Sequence, residues 1–317
     1  MQVLLASAAG GAKLELWQAA VLGLVEGITE YLPISSTGHL IIAASLMDLG
    51  STPEQKHAVD SFNIVIQGGA ILAVMALYWP RVLAMFKGVA GKDAAGLALA
   101  FKLFIAFLPA AVTGLMLDTW LEERLFFPAP VITAMILGGV FMILLDQWRS
   151  GRFGLRPRPV DIDVSEISWK QAFVIGCFQC IAMWPGTSRS MMTIAGGVIV
   201  GLKPRQAAEF SFLLGLPTLG AATLYKLGKH PGLFTELGIL PCVVGILVAA
   251  VSAFLAVKWL VGVLNRRGLT PFGWYRLALG LVLILLVMKG SLRIAPDPRP
   301  QLNTQTTIVP WPEAPAP

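Results

Sequence analysis

The chain has 317 residues, of which 56% are hydrophobic and only 13% charged, against roughly a quarter charged in a soluble globular domain. That deficit excludes an ordinary soluble enzyme and points to a chain built into a bilayer. The net charge of +6 is read as basic loops facing the cytoplasm and anionic lipid, so no nucleic-acid partner is expected.

The N-terminus, Met1 to Gly11, is small and apolar without a basic stretch, so a cleaved signal peptide is not expected. Residues 16–48 come next and are interrupted by Leu32-Pro33-Ile34-Ser35-Ser36-Thr37-Gly38. Apolar runs long enough to span follow at about 62–79, 98–117 and 129–147. A second interrupted region covers 169–201, broken by Trp184-Pro185-Gly186-Thr187-Ser188, and three more runs lie at about 209–225, 238–263 and 272–289. Each half of an interrupted region has only about 12–16 residues, too short to cross easily. Pro and Gly stop the helix in the middle, and non-helical backbone at that depth must be buried in protein or line a wet cavity. The pattern predicts two re-entrant helical hairpins.

The interrupted regions resemble each other. Gly23-Leu-Val-Glu26 lines up with Gly176-Cys-Phe-Gln179 and, after a one-residue gap, Pro33-Ile-Ser-Ser36-Thr37 lines up with Pro185-Gly-Thr-Ser188-Arg189. One hairpin plus three spans crosses the membrane an odd number of times, so a second copy must sit upside down, with its binding site near the midplane. The expected fold is an all-α polytopic membrane protein of two inverted repeats, about 16–147 and 169–289. Residues 1–294 form a single membrane domain, and the Pro-rich tail 295–317 is expected to be disordered. Loop charge, with Arg81, Lys87, Arg149, Arg152, Lys203 and Arg266 on one side, places that side in the cytoplasm and both termini outside. Of the three cysteines, Cys177-Phe-Gln-Cys180 lies inside an apolar run with no second Cys pair or His pair nearby. These two are read as small buried hydrophobes, and no disulfide framework is implied.

Charged groups inside apolar segments are costly and mark function by default. Glu26, Glu30, His39 and Arg189 stand out, all in or beside the two breaks. Glu26 and Glu30, four apart, share a helix face. Such a pair suits a proton acceptor or shares a divalent cation, and it would also stabilise helix packing. Ser35 or Ser36 caps the helix that carries Thr37 and His39, and a helix N-terminus suits phosphate. In the second break Gly186 allows close backbone approach, Ser188 and Ser190 supply hydroxyls, Arg189 can clamp phosphate oxygens and Thr193 lies one turn on. A hydroxyl, an imidazole, two acids and a guanidinium are the parts of phosphoryl transfer.

At these residues the chain resembles the bacterial undecaprenyl pyrophosphate phosphatases, the bacitracin-resistance family. Glu26-Gly-Ile-Thr-Glu30-Tyr-Leu-Pro-Ile-Ser-Ser-Thr-Gly-His39 is similar to that family's ExxxE motif and the run after it, and Trp184-Pro-Gly-Thr-Ser-Arg-Ser-Met-Met-Thr193 is similar to its PGxSRSxxT motif. The resemblance covers about residues 16–290. It implies hydrolysis of undecaprenyl pyrophosphate at the outer face of the bacterial cytoplasmic membrane, with release of inorganic phosphate and recycling of the lipid carrier. Carried over by motif position, Glu26, Glu30, Ser36, His39 and Arg189 form the catalytic set, and Ser35, Thr37, Ser188, Ser190 and Thr193 contact phosphate. A divalent cation, Mg or Ca, is implied to assist, with Glu26 and Glu30 as its ligands, and no organic cofactor is expected. The partners expected are the polyprenyl pyrophosphate and membrane lipid, and the oligomeric state is left open, a homodimer included. Ser36 is the preferred nucleophile, with Glu30 or His39 as base, and direct attack by His39 is the alternative.

Two rivals differ in class. A transporter shares broken helices and midplane charge, but it would release no phosphate. The type 2 phosphatidic acid phosphatases need a His after their Ser-Arg pair, which Ser188-Arg189 lacks.

Overall fold

The computed structural model describes residues 14–49, 53–125, 127–154, 161–229, 234 and 237–290. The N-terminal segment and the Pro-rich tail lie outside the described residues. The first break separates α1 (Leu16–Thr29) from α2 (Ser36–Leu46), and the second separates α7 (Trp169–Ile181) from α8 (Arg189–Ile199). Between them run α3 (Pro53–Leu77), α4 (Trp79–Val89), α5 (Ala94–Leu125) and α6 (Pro128–Arg149). After them come α9 (Pro204–Lys229), α10 (Ile239–Arg267) and α11 (Thr270–Met288). Among the described residues, α3, α5, α6, α9, α10 and α11 contain stretches long and apolar enough to cross a membrane, in the six places the sequence predicts.

The two broken segments share their local geometry. Each outer helix opens on a cap residue with φ −70° and ψ 154°, Glu15 for α1 and Ser168 for α7. In each, the cap backbone N–H donates to a glutamine three residues on, Gln18 or Gln171, at 2.9 Å. This is half of a capping box, and at Ser168 the hydroxyl completes it by accepting from Gln171 N. Each inner helix opens on a serine in the left-handed region, Ser35 (φ 72°) for α2 and Ser188 (φ 77°) for α8. The same number of residues separates Glu15 from Ser168, Gly23 from Gly176, and Ser35 from Ser188. The sequence alignment therefore needs no gap, and its pairing of Ser36 with Ser188 is corrected to Ser35 with Ser188. Tandem serines can each cap a helix, so residue type alone did not fix the register.

Each outer helix also packs on a span from the other half. A Cβ on Gly23 would come within 2.5 Å of Gly245 O of α10, and one on Gly176 would collide with Ala106 O of α5. Such bare surfaces let helix backbones approach closely inside a bilayer. At one end of the molecule Asp146, near the end of α6, accepts from Leu269 N at 2.6 Å, Thr270 N at 2.7 Å and Thr270 Oγ1 at 2.9 Å. A single buried carboxylate thus satisfies the first N–H groups of α11, which would otherwise be orphaned, and fixes α11 beside α6.

Two details differ from the sequence reading. Helix α4 lies between the first two predicted spans, where the apolar pattern predicts no element, and it starts with Pro80 in its first turn. Cys177 is exposed and Cys180 half-buried rather than both buried: Cys177 lies on the exposed side of α7 with Phe173, Val174 and Ile181, while Cys180 Sγ lies 3.5 Å from Thr113 Oγ1 of α5. Cys242 is buried, and all three thiols are free.

Candidate active site

The two breaks meet. Ser190 Oγ, fully buried on α8, donates to Leu32 O of the first break at 2.8 Å, and Ser188 Oγ reaches the same carbonyl at 3.5 Å. The starts of α2 and α8 therefore lie together, and each helix start brings free N–H groups and the positive end of a dipole.

Glu30 stands at the end of α1, 7% exposed, and carries both halves of the meeting. Its Oε2 accepts from Ser36 Oγ at 2.7 Å, and its Oε1 accepts from Arg189 Nη2 at 3.1 Å. Arg189 has two further contacts, with room left on a third side. Nη1 donates to Ser211 O of α9 at 3.0 Å, the guanidinium carbon lies 5.1 Å from the centre of the Tyr31 ring, and Gly215 leaves it room. Tyr31 itself stands edge-on to Phe212, with ring centres 5.6 Å apart. Cation–π contact and a carboxylate together orient the guanidinium.

Glu26, one turn earlier on α1, is 1% exposed. Its Oε1, the Arg189 Nε and the Tyr31 hydroxyl are buried polar atoms without a hydrogen-bond partner among the described residues. Orphaned buried polar atoms are rare in native structures and need an explanation. Three of them in one place, two able to donate and one to accept, describe a site for a polar ligand.

The other sequence-predicted residues are placed as follows. Ser35 is the buried cap of α2, and its carbonyl lies 2.7 Å from His39 Nδ1. Thr37 is half-buried in the first turn of α2. His39 Nε2 lies 2.7 Å from the Tyr275 hydroxyl of α11. Both imidazole nitrogens are thus engaged away from Ser36 and Glu30. Ser188 Oγ accepts from Met191 N at 3.3 Å and lies 3.1 Å from Ser190 Oγ. Thr193 Oγ1 donates to Arg189 O at 2.9 Å and sits 2.5 Å from Ser211 Oγ. Ser188, Ser190 and Thr193 therefore brace the start of α8 in this arrangement.

Sequence reasoning missed Tyr31, Ser211, Tyr275 and Arg276. Arg276 carried a usable signal, a charge inside the apolar run 272–289. Tyr31 and Ser211 carried none, because an apolar segment tolerates either.

For a divalent cation, Glu26 Oε1 offers a free hard oxygen donor, whereas both Glu30 oxygens are taken. Among the described residues no group of three His, Cys, Asp or Glu side chains converges. The donor set fits a cation that takes its remaining ligands from phosphate, as Mg commonly does.

Among the described residues, six apolar spans around two broken helices, with an acid, hydroxyl and guanidinium cluster where the breaks meet, define an all-helical polytopic membrane protein. Comparison with known proteins places it more closely: residues 19–282 match the family model described as bacitracin resistance protein BacA, and the chain belongs to that family. It is 42% identical over 272 residues to an undecaprenyl-diphosphatase of Sorangium cellulosum, covering 85% of this chain and 86% of that one. It is 46% identical over 275 residues to undecaprenyl-diphosphatase 2 of Rhodospirillum rubrum (87% and 96%). It is 41% identical over 278 residues to the undecaprenyl-diphosphatase of Bacillus velezensis (86% and 98%).

Proposed function

We propose that this chain hydrolyses undecaprenyl pyrophosphate to undecaprenyl phosphate and inorganic phosphate, with Ser36 as the attacking hydroxyl. The observation that carries the reading is the Glu30 carboxylate holding Ser36 Oγ at 2.7 Å on one oxygen and Arg189 at 3.1 Å on the other. A nucleophile, its base and an anion clamp share one group.

The incoming pyrophosphate competes with Glu30 for Arg189, whose Nε has no hydrogen-bond partner among the described residues. Once Arg189 turns to the phosphate, Glu30 keeps its contact with Ser36 Oγ and is placed to take its proton. Ser36 Oγ bonds to the terminal phosphorus as the bond from that phosphorus to the bridging oxygen breaks. The serine proton passes to Glu30, and undecaprenyl phosphate leaves. Water then cleaves the phosphoserine ester, restoring the hydroxyl and releasing inorganic phosphate. Arg189 and the N-termini of α2 and α8 stabilise the charge that spreads over the phosphoryl oxygens. Glu26 and Glu30 are the residues that would hold a divalent cation, Mg or Ca, which when bound neutralises pyrophosphate charge.

The reading extends to setting. The two halves are taken as inverted copies, supported by matched caps and by each outer helix packing on a span of the other half. Following the loop charges, the chain sits in the bacterial cytoplasmic membrane with the site open to the outer face. There it would return the lipid carrier to cell-wall synthesis, and raised levels would confer bacitracin resistance.

The test is phosphate release from undecaprenyl pyrophosphate by purified chain in detergent, with Glu30→Ala and Arg189→Ala alongside. The wild type should turn over, and each variant should lose roughly a hundredfold or more in kcat. Absence of phosphate release by the wild type would leave a transport role instead.

A further inference from the structure

Helix α11 carries two adjacent side chains that the proposed chemistry leaves unused, and each reaches a different break. Tyr275 places its hydroxyl 2.7 Å from His39 Nε2, with the two rings parallel and 5.6 Å between centres. Arg276 is fully buried. It donates from Nε to Met135 O at 3.1 Å, from Nη2 to Ala134 O at 3.0 Å and Gly186 O at 2.7 Å, and from Nη1 to Thr187 O at 3.0 Å. Met135 and Ala134 belong to α6. Gly186 and Thr187 lead directly into Ser188, the cap of α8.

We infer that Tyr275 and Arg276 are positioning residues that hold the two breaks in register, so that Ser36 and Arg189 face one substrate. The inference rests on the phosphatase reading above. A guanidinium is expensive to bury, and among the described residues the atoms receiving this one are carbonyl oxygens, with no carboxylate. For packing alone an apolar side chain of the same volume would serve as well or better. What the guanidinium supplies is a rigid fork of donors. Gly186 and Thr187 lie between helices, where their carbonyls lack intrahelical partners and cannot be left bare at membrane depth. Peptide planarity then does the rest: fixing the Thr187 carbonyl fixes the Ser188 N–H in the opposite direction, and Arg189 is the next residue.

The surroundings are cut to this purpose. A Cβ on Gly138 of α6 would lie 2.5 Å from Arg276 Nη2 and 3.0 Å from its Cζ. The first break is held in a matching way. The Ser35 carbonyl only accepts, so His39 Nδ1 carries a proton, and in the neutral imidazole Nε2 accepts from the Tyr275 hydroxyl. The imidazole thereby braces the carbonyl of the residue that caps α2, immediately before Ser36.

The experiment compares Arg276→Lys, Gly138→Ala and Tyr275→Phe with the wild-type full chain in detergent. Phosphate release, thermal melting and amide hydrogen exchange over residues 186–192 are measured on the same preparations. Arg276→Lys keeps the charge and loses the fork; Gly138→Ala keeps the fork and displaces it; Tyr275→Phe keeps the stacked ring and loses the hydroxyl. Each should lower kcat by roughly ten- to a hundredfold with KM changed far less, because a misplacement near 1 Å is costly to rate. Melting should stay near wild type for Arg276→Lys and Tyr275→Phe, and exchange over 186–192 should rise in Arg276→Lys and Gly138→Ala. An Arg276→Lys chain with unchanged kcat and exchange overturns the inference. So does activity that falls only in step with loss of folded protein. A wild type that releases no phosphate sinks the phosphatase reading, while the exchange measurement still decides whether Arg276 holds the second break.

Discussion

The Ser36 hydroxyl lies 2.7 Å from the Glu30 carboxylate, across the break between α1 and α2. His39, three residues beyond Ser36, has both ring nitrogens engaged with Ser35 O and Tyr275 Oη. The two nucleophile candidates are thereby separated by geometry: one is presented to a base, the other is braced.

That separation predicts the outcome of trapping a phosphoenzyme with substrate labelled in its terminal phosphate. Ser36→Ala should abolish the labelled intermediate and lower kcat by about a thousandfold or more. His39→Ala should still form it, with turnover reduced by roughly ten- to a hundredfold through loss of bracing. Label persisting in Ser36→Ala would reassign the attack to another group.

Much of this arrangement was legible in the sequence, and the exceptions have physical causes. Long apolar runs announce spans because a bilayer needs about 20 apolar residues, and Pro33, Pro185 and Gly186 announce the breaks because proline removes a backbone donor and glycine is a poor helix former, here clustered with serine and threonine. The meeting of Glu30 with Arg189 followed from two costly charges in two matching breaks. The register did not follow. Positive φ at Ser35 and Ser188 is imposed by tertiary contact, since serine has no preference for that region. The corrected register places Ser36 and Arg189 at equivalent positions, each the first residue of its inner helix. The Ser36 hydroxyl and the Arg189 guanidinium thus occupy matching seats. Arg276 escaped notice because a charge near the end of an apolar run also reads as one that reaches out to the interface.

The close contact of α1 with α10 predicts a stability difference between two glycine substitutions. A Cβ on Gly23 would lie 2.5 Å from Gly245 O and 3.1 Å from Gly245 Cα, whereas one on Gly68 of α3 would meet nothing within 4 Å. Backbone atoms cannot rotate aside, so Gly23→Ala must part the helices, at a cost of about 1–3 kcal/mol. Gly68→Ala should instead be neutral or stabilising by up to about 1 kcal/mol. Melting of both variants in the same detergent checks the pair, and equal melting points would mean that α1 and α10 are not so closely packed.

A latch of charged groups predicts a dependence on acid. Arg81, in the first turn of α4, pairs with Asp163 in the segment before α7 and with Glu209 of α9 at 3.1 Å. The Arg81 hydrogen bond holds the Asp163 carboxyl down at about 2, below its unfolded value of about 3.9. A depressed carboxylate contributes stability that is full above its unfolded value and is lost as pH falls through its folded one. The contribution should therefore disappear between about pH 4 and pH 2. Asp163→Asn should lower the melting point at neutral pH and flatten its decline over that window. Solvent exposure of both partners keeps the effect small, so the slope of melting temperature against pH is the quantity to compare.

The same carboxylates set an expectation for metal. Glu30 spends both oxygens on Ser36 and Arg189, Glu26 keeps one free, and no third acid, His or Cys joins them among the described residues. Such a set is too sparse to bind Mg or Ca firmly by itself. It becomes adequate when phosphate oxygens are added, because Mg is commonly held by one or two carboxylates plus substrate. Calorimetry should therefore find no tight Mg or Ca binding to the chain alone, and binding should appear when a non-hydrolysable pyrophosphate analogue is present. Glu26→Gln should remove that induced binding while the analogue still binds through Arg189. Tight binding of either ion without the analogue, at a site insensitive to Glu26→Gln, would show that the cation is held elsewhere.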